Sequence, residues 1–303
     1  MNFADRLDAA LERVKTPALV GLDPHLDLLP APFAVARDAR APRSERADAL
    51  ARFSCELVDL VAGKVAAVKP QSAFFEVLGA DGAVAWEKVV AHARAAGLLV
   101  IGDVKRSDIA STAAAYAQAF LEGTPGTPKE HLCDAITLNP YLGSDSLVPF
   151  VESAQRSGGG LFVLVRTSNE KSGEFQNHGE PRLCERVAAA VDSLGATLVG
   201  RSGYSSLGAV VGATHPEELA RLRRAMPRAV LLLPGFGAQG ASAKDVKGAF
   251  PDARRWWRGA LVNSSRGIAF AWREKAHAGK SWQDATRHAL EAMIGELSSA
   301  LGS

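Results

Sequence analysis

Eight short apolar runs, each ending in a cluster of small or polar residues, constrain the fold of this chain more than any other feature. They lie at 18–22, 65–68, 98–102, 135–138, 161–165, 207–211, 230–233 and 260–262. Continuous Val, Ile and Leu runs of this length are typical of strands that are buried on both faces, as in parallel sheets. Helical patterns lie between them, at 81–96, 108–121, 181–194 and 216–225. Strand–helix alternation repeated eight times predicts an α/β fold, a (β/α)8 TIM barrel, because a doubly wound sheet seldom needs eight strands.

The barrel is expected to take up residues 1–303 as a single catalytic domain, since this length suits one large α/β domain. Longer connections interrupt the alternation near 37–46, 123–131 and 168–181. The last of these follows the end of a strand, so it is either a lid over the mouth of the barrel or a solvated surface insertion.

Charge and composition exclude several classes of protein. The chain has 35 basic and 33 acidic side chains, a net charge of +2, whereas nucleic-acid-binding proteins usually carry a basic excess. Its three cysteines form no C-x-x-C pair, which disfavours a disulfide framework and a structural zinc site. No run approaches the roughly 18 apolar residues of a membrane helix, and the acidic, amphipathic start differs from a signal peptide. We therefore expect a cytoplasmic protein without nucleic-acid or membrane partners.

The densest cluster of charge in an apolar setting lies in the segment DVKRSDI at 103–109. Asp103 and Lys105 are two residues apart on a strand, so their side chains are predicted to leave the same face. Lys69 ends the second strand and is expected beside Asp103, while Asp108 and Thr112 are spaced for one face of the following helix. A structural ion-pair network is the alternative. Alternating charges at two adjacent strand ends favour a functional site, because burying them is costly.

A phosphate site is predicted at the ends of the seventh and eighth strands. Gly235 and Gly237 allow backbone N–H groups to approach an anion, and Gln239 adds a side-chain donor. Arg266 follows the eighth strand and can grip a phosphate with its forked guanidinium. Phosphate sites of barrels commonly lie at these two loops.

The motif D-x-K-x-x-D-I, with Lys69 upstream, resembles the orotidine 5'-phosphate decarboxylases, in particular their longer bacterial (type 2) branch. The resemblance also includes GLDPHLDLLP at 21–30, VKPQSAFFE at 68–76, TLNPYLGSDSL at 137–147, VLVRTSNE at 163–170, LLPGFGAQG at 232–240 and VNSSRGI at 262–268. It implies decarboxylation of orotidine 5'-monophosphate to UMP and CO₂, the last step of de novo pyrimidine nucleotide (UMP) synthesis, with neither metal nor organic cofactor.

The resemblance also implies roles for the charged residues. Lys105 would protonate C6 of the pyrimidine, Asp103 would face the substrate carboxylate, and Lys69 would hold Asp103 and reach a ribose hydroxyl. Asp108 would complete the array from the partner subunit of a homodimer, with Thr112 beside it on the ribose.

Further residues complete the expected substrate site. The resemblance implies that Asp23 also binds the ribose. Thr167 and Ser168 match the position of the hydroxyl that binds the pyrimidine, with the choice between them open, and Gln71 is a further candidate to face the substrate.

Two alternative functions remain at this stage. The first is a Mg²⁺-dependent sugar-phosphate lyase, because related lyases share D-x-K-x-x-D. The second is a non-catalytic nucleotide- or phosphate-binding barrel. The four-charge array disfavours the second alternative, since a protein that only binds an anion needs no carboxylate beside it.

Overall fold

Parallel strands alternate with helices in the computed structural model, which describes residues 1–213, 216–237 and 242–302. The strands are β1 (Ala18–Leu22), β2 (Ala67–Pro70), β3 (Leu99–Arg106), β4 (Ala135–Leu138), β5 (Gly160–Arg166), β6 (Ser205–Val211), β7 (Ala229–Leu233) and β8 (Ala260–Ser264). They form a closed barrel in chain order, in which β1 also pairs with β8. The predicted eight-stranded barrel is therefore confirmed.

Helices surround this barrel. They are α1 (Phe3–Val14), α2 (Arg43–Val61), α3 (Ala73–Glu76), α4 (Gly79–Ala95), α5 (Ala110–Ala117), α6 (Val148–Ser157), α7 (Gly173–Gln176), α8 (Leu183–Gly195), α9 (Pro216–Ala225), α10 (Arg266–Ala269) and α11 (Trp282–Leu301). A π-helical turn, Gln118–Glu122, directly follows α5. Within the described ranges, no helix is both long and apolar enough to span a bilayer.

Helix α1 closes the end of the barrel where the strands begin. Asn2 caps it by accepting a hydrogen bond from the backbone N–H of Asp5. Its apolar face, with Phe3 and Leu7, packs against the barrel interior, where the ring of Phe3 meets that of Phe162 edge-on at 5.9 Å. A second, larger apolar layer fills the space between the strands and the surrounding helices. Because the lower end is filled by side chains, the C-terminal ends of the strands are left to form the mouth.

The strands reach further toward the mouth than the apolar runs do. β2 covers 67–70 rather than 65–68, β3 continues from the predicted 98–102 to Arg106, and β8 continues to Ser264. These extensions place charged and polar residues inside strands rather than in loops. The apolar runs alone missed them because the strand ends are polar and hydrogen-bonded in the ladder.

The three longer connections contain short helical segments. Part of 37–46 is helical, because α2 begins at Arg43. The segment 123–131 ends in a single 3₁₀ turn, Lys129–His131. The segment 168–181 includes the 3₁₀ turn Glu170–Ser172 and helix α7.

Candidate active site

Asp103 lies at the centre of a ring of hydrogen-bond donors at the mouth of the barrel. One carboxylate oxygen, Oδ2, accepts from Nζ of Lys69 at 2.6 Å and from Nε2 of Gln71 at 3.1 Å. The other, Oδ1, accepts from Nζ of Lys105 at 2.5 Å and from Oγ1 of Thr137 at 2.9 Å. Both oxygens are thus fully engaged, which fixes the orientation of the carboxylate and favours its charged form. The structure thus brings together Lys69, Asp103 and Lys105, three of the four charged residues predicted for the site, without Asp108.

The two lysines differ in their access to solvent. The side chain of Lys69 is 6% exposed, whereas that of Lys105 is 45% exposed and reaches into the mouth. Burial acts to raise the pKa of Asp103, but the nearby charges of Lys69 and Lys105 outweigh it and hold this pKa well below its usual range. Burial likewise acts to lower the pKa of Lys69, and the carboxylates of Asp103 and Asp23 raise it overall. Asp103 and Lys69 are therefore both charged near neutral pH.

Lys105 has an unusual backbone conformation, with φ at +44°. L-residues adopt this left-handed region rarely, because it costs of order 1–3 kcal/mol, and it persists only where the surrounding structure imposes it. The pairing of β3 with β4 also shifts register between Gly102 and Arg106. Asp103 and Lys105 are close, as predicted, with their charged groups joined at 2.5 Å, although the backbone at Lys105 departs from that of a regular strand.

Asp23, directly after β1, and Asn263, within β8, add polar groups beside this array. Oδ1 of Asp23 and Oδ1 of Asn263 are buried without a hydrogen-bond partner among the described residues. Unpaired buried acceptors are rare and call for an explanation, such as the binding of a ligand that donates hydrogen bonds. Leu19 of β1 pairs with Asn263 of β8, so Asp23 follows a strand that neighbours the one containing Asn263. Sequence reasoning found Asp23 but missed Asn263, although the latter begins the same NSSRG segment that contains Arg266.

The predicted phosphate site lies where β7 and β8 end side by side, with Leu233 paired to Val262. Gly235 and Gly237 have φ of +98° and +73°, conformations that favour glycine. Arg266, at the start of α10, is exposed to solvent. The predicted donor Gln239 lies outside the described residues.

Asp108 and Thr112 are not on one helical face, contrary to the prediction. Helix α5 begins only at Ala110, because Ile109 has an extended backbone. Asp108 thus precedes the helix, and its Oδ1 accepts from the backbone N–H of Ile109 at 2.8 Å. Thr112 is exposed in the first turn. Within the described part of one chain, neither side chain forms a hydrogen bond or an ion pair with Asp103, Lys69 or Lys105.

The two candidates after β5 have different environments. The hydroxyl of Thr167 donates to Oδ1 of Asn169 at 2.7 Å and accepts from Nε2 of Gln176 at 2.8 Å. Arg166, which is buried, donates to the hydroxyl of Ser172 and forms an ion pair with Glu218 at 2.8 Å. These contacts hold the segment 168–181 against the end of β5.

Ser168 differs from Thr167 in that its hydroxyl forms no hydrogen bond within the described ranges. Its backbone packs against Gly212, where an added Cβ would lie 3.0 Å from Cα of Ser168. Of the two candidate hydroxyls, that of Ser168 is therefore the one left available to a ligand.

The donor set at the mouth suits anions rather than metal ions. Across residues 1–213, 216–237 and 242–302, no group of three or more His, Cys, Asp or Glu side chains is arranged to hold a metal ion. The mouth instead offers ammonium, guanidinium, hydroxyl and amide donors around the buried carboxylate of Asp103, with that of Asp23 beside it, which fits a small anionic ligand with several hydroxyl groups.

Comparison with known proteins identifies similar chains. Residues 20–281 match the model of the "Orotidine 5'-phosphate decarboxylase / HUMPS family". An orotidine 5'-phosphate decarboxylase of Rhodopirellula baltica is 47% identical over 305 residues, covering 98% of this chain and 99% of that one. The enzyme of the same name from Deinococcus radiodurans is 44% identical over 302 residues, covering 99% and 98%.

Comparison with solved structures finds a similar chain of the same description. The crystal structure of a "putative orotidine 5'-phosphate decarboxylase" from Streptomyces avermitilis superposes with a TM-score of 0.79 at 38% identity. The match covers 100% of this chain and 96% of the other. The likeness therefore extends over the barrel and its connections, including the mouth.

Proposed function

This chain belongs to the orotidine 5'-phosphate decarboxylase family, and we propose that it converts orotidine 5'-monophosphate to UMP and CO₂ with the charged array around Asp103. This carboxy-lyase reaction completes the de novo synthesis of UMP. The observation that carries the proposal is the buried carboxylate of Asp103 between the ammonium groups of Lys69 and Lys105, at 2.6 and 2.5 Å. An anion-binding barrel has no need of such a carboxylate at its mouth.

Lys105 supplies the chemistry at the reacting carbon. As the bond between C6 and the carboxylate breaks, its electron pair stays on C6, and CO₂ leaves as a neutral molecule. The ammonium of Lys105, which is partly exposed in the mouth, stabilises this developing charge and then transfers a proton to C6. No electron sink or organic cofactor takes part in the proposed step.

Asp103 is proposed to repel the substrate carboxylate from a fixed position. A substrate carboxylate about 4 Å away would be repelled by about 4 kcal/mol at an effective dielectric constant of about 20, and this repulsion disappears when CO₂ leaves. The four donors around Asp103 prevent it from turning away or taking up a proton. Enzymes typically lower the activation free energy by about 8–23 kcal/mol, which is more than this repulsion supplies. Stabilisation of the transition state by Lys105 must therefore contribute more.

Polar groups on either side of the array bind the rest of the substrate. Asp23 is proposed to accept from a ribose hydroxyl, which the unpaired state of its Oδ1 supports, and the neighbouring Lys69 is proposed to reach the same sugar. Arg266, with the backbone at Gly235 and Gly237, forms the phosphate end of the site. Binding energy from the phosphate can then lower the barrier at C6.

Ser168 rather than Thr167 is proposed to bind the pyrimidine. The hydroxyl of Thr167 is already used as donor and acceptor within the segment 168–181. Gln71 donates to Asp103, so its role is to hold the carboxylate.

A homodimer with shared active sites is proposed to place Asp108 and Thr112 in the mouth of the other subunit. Support comes from large exposed apolar side chains after the ends of β3 and β4, two adjacent strands: Ile109, which directly follows Asp108, is 55% exposed and Tyr141 is 82% exposed. We propose that contact with the other subunit covers them. A cytoplasmic location agrees with the absence of any membrane-spanning helix from the described ranges.

The test is to treat the protein with EDTA, add orotidine 5'-monophosphate and follow the loss of pyrimidine absorbance. Turnover at an unchanged rate is expected, with Lys105→Ala as the inactive control. Turnover that requires Mg²⁺, or that occurs only with a keto-sugar phosphate, would identify a lyase of the alternative kind. Binding of the nucleotide without turnover would identify a non-catalytic barrel.

A further inference from the structure

Thr137 on β4 connects the two residues that carry the proposed chemistry. Its side chain is buried, with 1% exposure. Its Oγ1 accepts a hydrogen bond from the backbone N–H of Lys105 at 3.0 Å and donates one to Oδ1 of Asp103 at 2.9 Å. A hydroxyl has one proton, so the donation to Asp103 leaves its lone pairs for the N–H of Lys105. The direction of both bonds is therefore fixed.

The contact with Lys105 falls at the strained point of β3. Lys105 has φ at +44°, and the ladder between β3 and β4 is irregular from Gly102 to Arg106. At this point the backbone N–H of Lys105 donates to a side chain of β4. This bond compensates part of the strain, because without it the turn would lose a hydrogen bond and could relax to negative φ.

The contact with Asp103 ties the turn to the carboxylate. Oδ1 of Asp103 also receives Nζ of Lys105 at 2.5 Å, so the hydroxyl and the ammonium share one oxygen. The side chain of Lys105 is thus bonded directly to Oδ1 of Asp103, and its backbone is connected to the same oxygen through the hydroxyl of Thr137. A shift of the turn would move the ammonium relative to the carboxylate.

We propose that Thr137 is a positioning residue for the decarboxylation: its hydroxyl fixes the left-handed turn at Lys105 and the carboxylate of Asp103 in one arrangement. The inference rests on the proposed function, since it assigns Thr137 the task of aiming the proton donor at C6. In this role Thr137 touches no substrate atom and acts through Asp103 and Lys105.

The experiment compares Thr137→Val with Thr137→Ser by steady-state kinetics. Valine keeps the shape and removes the hydroxyl, and kcat is expected to fall by about 100-fold, the typical effect of a misplaced catalytic group. KM and the affinity for UMP should change by less than about threefold, because the ribose and phosphate contacts remain. Serine keeps the hydroxyl and should restore most of kcat.

Thr16→Val is the matched control. Thr16 is also 1% exposed, and its hydroxyl accepts from the backbone N–H of Ala18 at 3.2 Å, but it lies before β1 at the closed end of the barrel. Its substitution should lower the melting temperature without changing kcat. If Thr137→Val fails to fold, Thr137→Ala provides the hydroxyl-free variant and Thr137→Cys a weakly bonding one.

The outcomes separate the two hypotheses. Wild-type kcat in a folded hydroxyl-free variant, or equal losses in kcat for Thr137→Val and Thr137→Ser, would overturn the positioning role and leave the decarboxylase assignment intact. A wild-type protein that does not turn over orotidine 5'-monophosphate would overturn the assignment itself. A fall in kcat that serine reverses, at unchanged UMP affinity, supports the role.

Discussion

Replacing Asp103 by asparagine removes one charge while keeping the shape of the side chain. In the wild-type protein, Asp103 is the partner of Lys69, whose side chain is only 6% exposed. The substitution leaves this ammonium with Asp23 as its remaining neighbouring carboxylate. The new amide N–H₂ group would also face donors where the carboxylate accepted four hydrogen bonds.

The expected loss of stability follows from these contacts. Breaking a buried ion pair by removing one partner costs about 3–5 kcal/mol, and the nearby Asp23 places this case at the lower end. At roughly 2–4 °C per kcal/mol, a loss of about 3 kcal/mol lowers the melting temperature by about 6–12 °C. The pair of Asp103 with Lys105 adds little, because Lys105 is 45% exposed and its charge is screened by solvent.

The assay is urea unfolding of Asp103→Asn, Lys69→Met and the double variant. Because Lys69→Met removes the stranded ammonium, the double variant should be more stable than Asp103→Asn alone, with a coupling energy of at least about 1 kcal/mol. Asp38→Asn is the surface control: its partner Arg40 is 94% exposed, and stability should change by less than about 1 kcal/mol. A loss no larger than in this control, or strict additivity in the double variant, would refute the reasoning.

The pH dependence of this difference has a defined sign. The pKa of Asp103 is lowered from 3.8 by folding, so its stabilising effect is present above that value and is lost as the pH falls toward the folded pKa. The pKa of Lys69 is raised from 10.5, so its effect is present below that value and is lost as the pH rises. The stability difference between wild type and Asp103→Asn should therefore be level between about pH 5 and 8 and shrink below about pH 4.

Three further predictions concern the substrate. Arg266→Ala should raise KM at least about tenfold with a smaller change in kcat, because the phosphate contact is remote from C6, and a kcat-only effect would contradict this. Mixing inactive Asp108→Ala with inactive Lys105→Ala subunits should restore part of the activity through hybrid sites, and no recovery after proven subunit exchange would exclude a shared site. Ser168→Ala should raise KM more than Thr167→Val in steady-state assays, and the reverse order would show that Thr167 binds the pyrimidine.

The fold was predictable from the sequence because strands buried on both faces are continuous apolar runs. Such runs can be recognised without knowing which strands pair with each other. Runs such as 135–138 coincide with strand β4 (Ala135–Leu138), since a parallel strand inside a barrel is apolar at every position. The clustering of Lys69 and Asp103 followed from topology alone, because adjacent parallel strands end at the same edge. The limits of β2 and β3 were less accurate, since their last residues are polar and pair with groups on neighbouring strands.

Two parts of the site depend on relations that spacing along the chain does not contain. Thr137 and Asn263 lie on strands that were predicted, but their importance comes from which atoms on adjacent strands they face. The spacing of four residues between Asp108 and Thr112 predicted one helical face. The backbone at Ile109 is extended, so Asp108 lies outside the helix and the helical spacing does not apply to it. A periodicity rule fails wherever the backbone leaves the regular conformation that the rule assumes.

The turn at Lys105 has a consequence for the D-x-K motif itself. In a regular strand, residues two apart project in parallel, and their spacing would be set by β3 alone. Here the left-handed backbone at Lys105 departs from that geometry, and the hydroxyl of Thr137 on β4 accepts a hydrogen bond from its N–H. In this chain the D-x-K motif therefore includes a backbone conformation and a hydrogen bond to the next strand that the spacing of its residues does not describe.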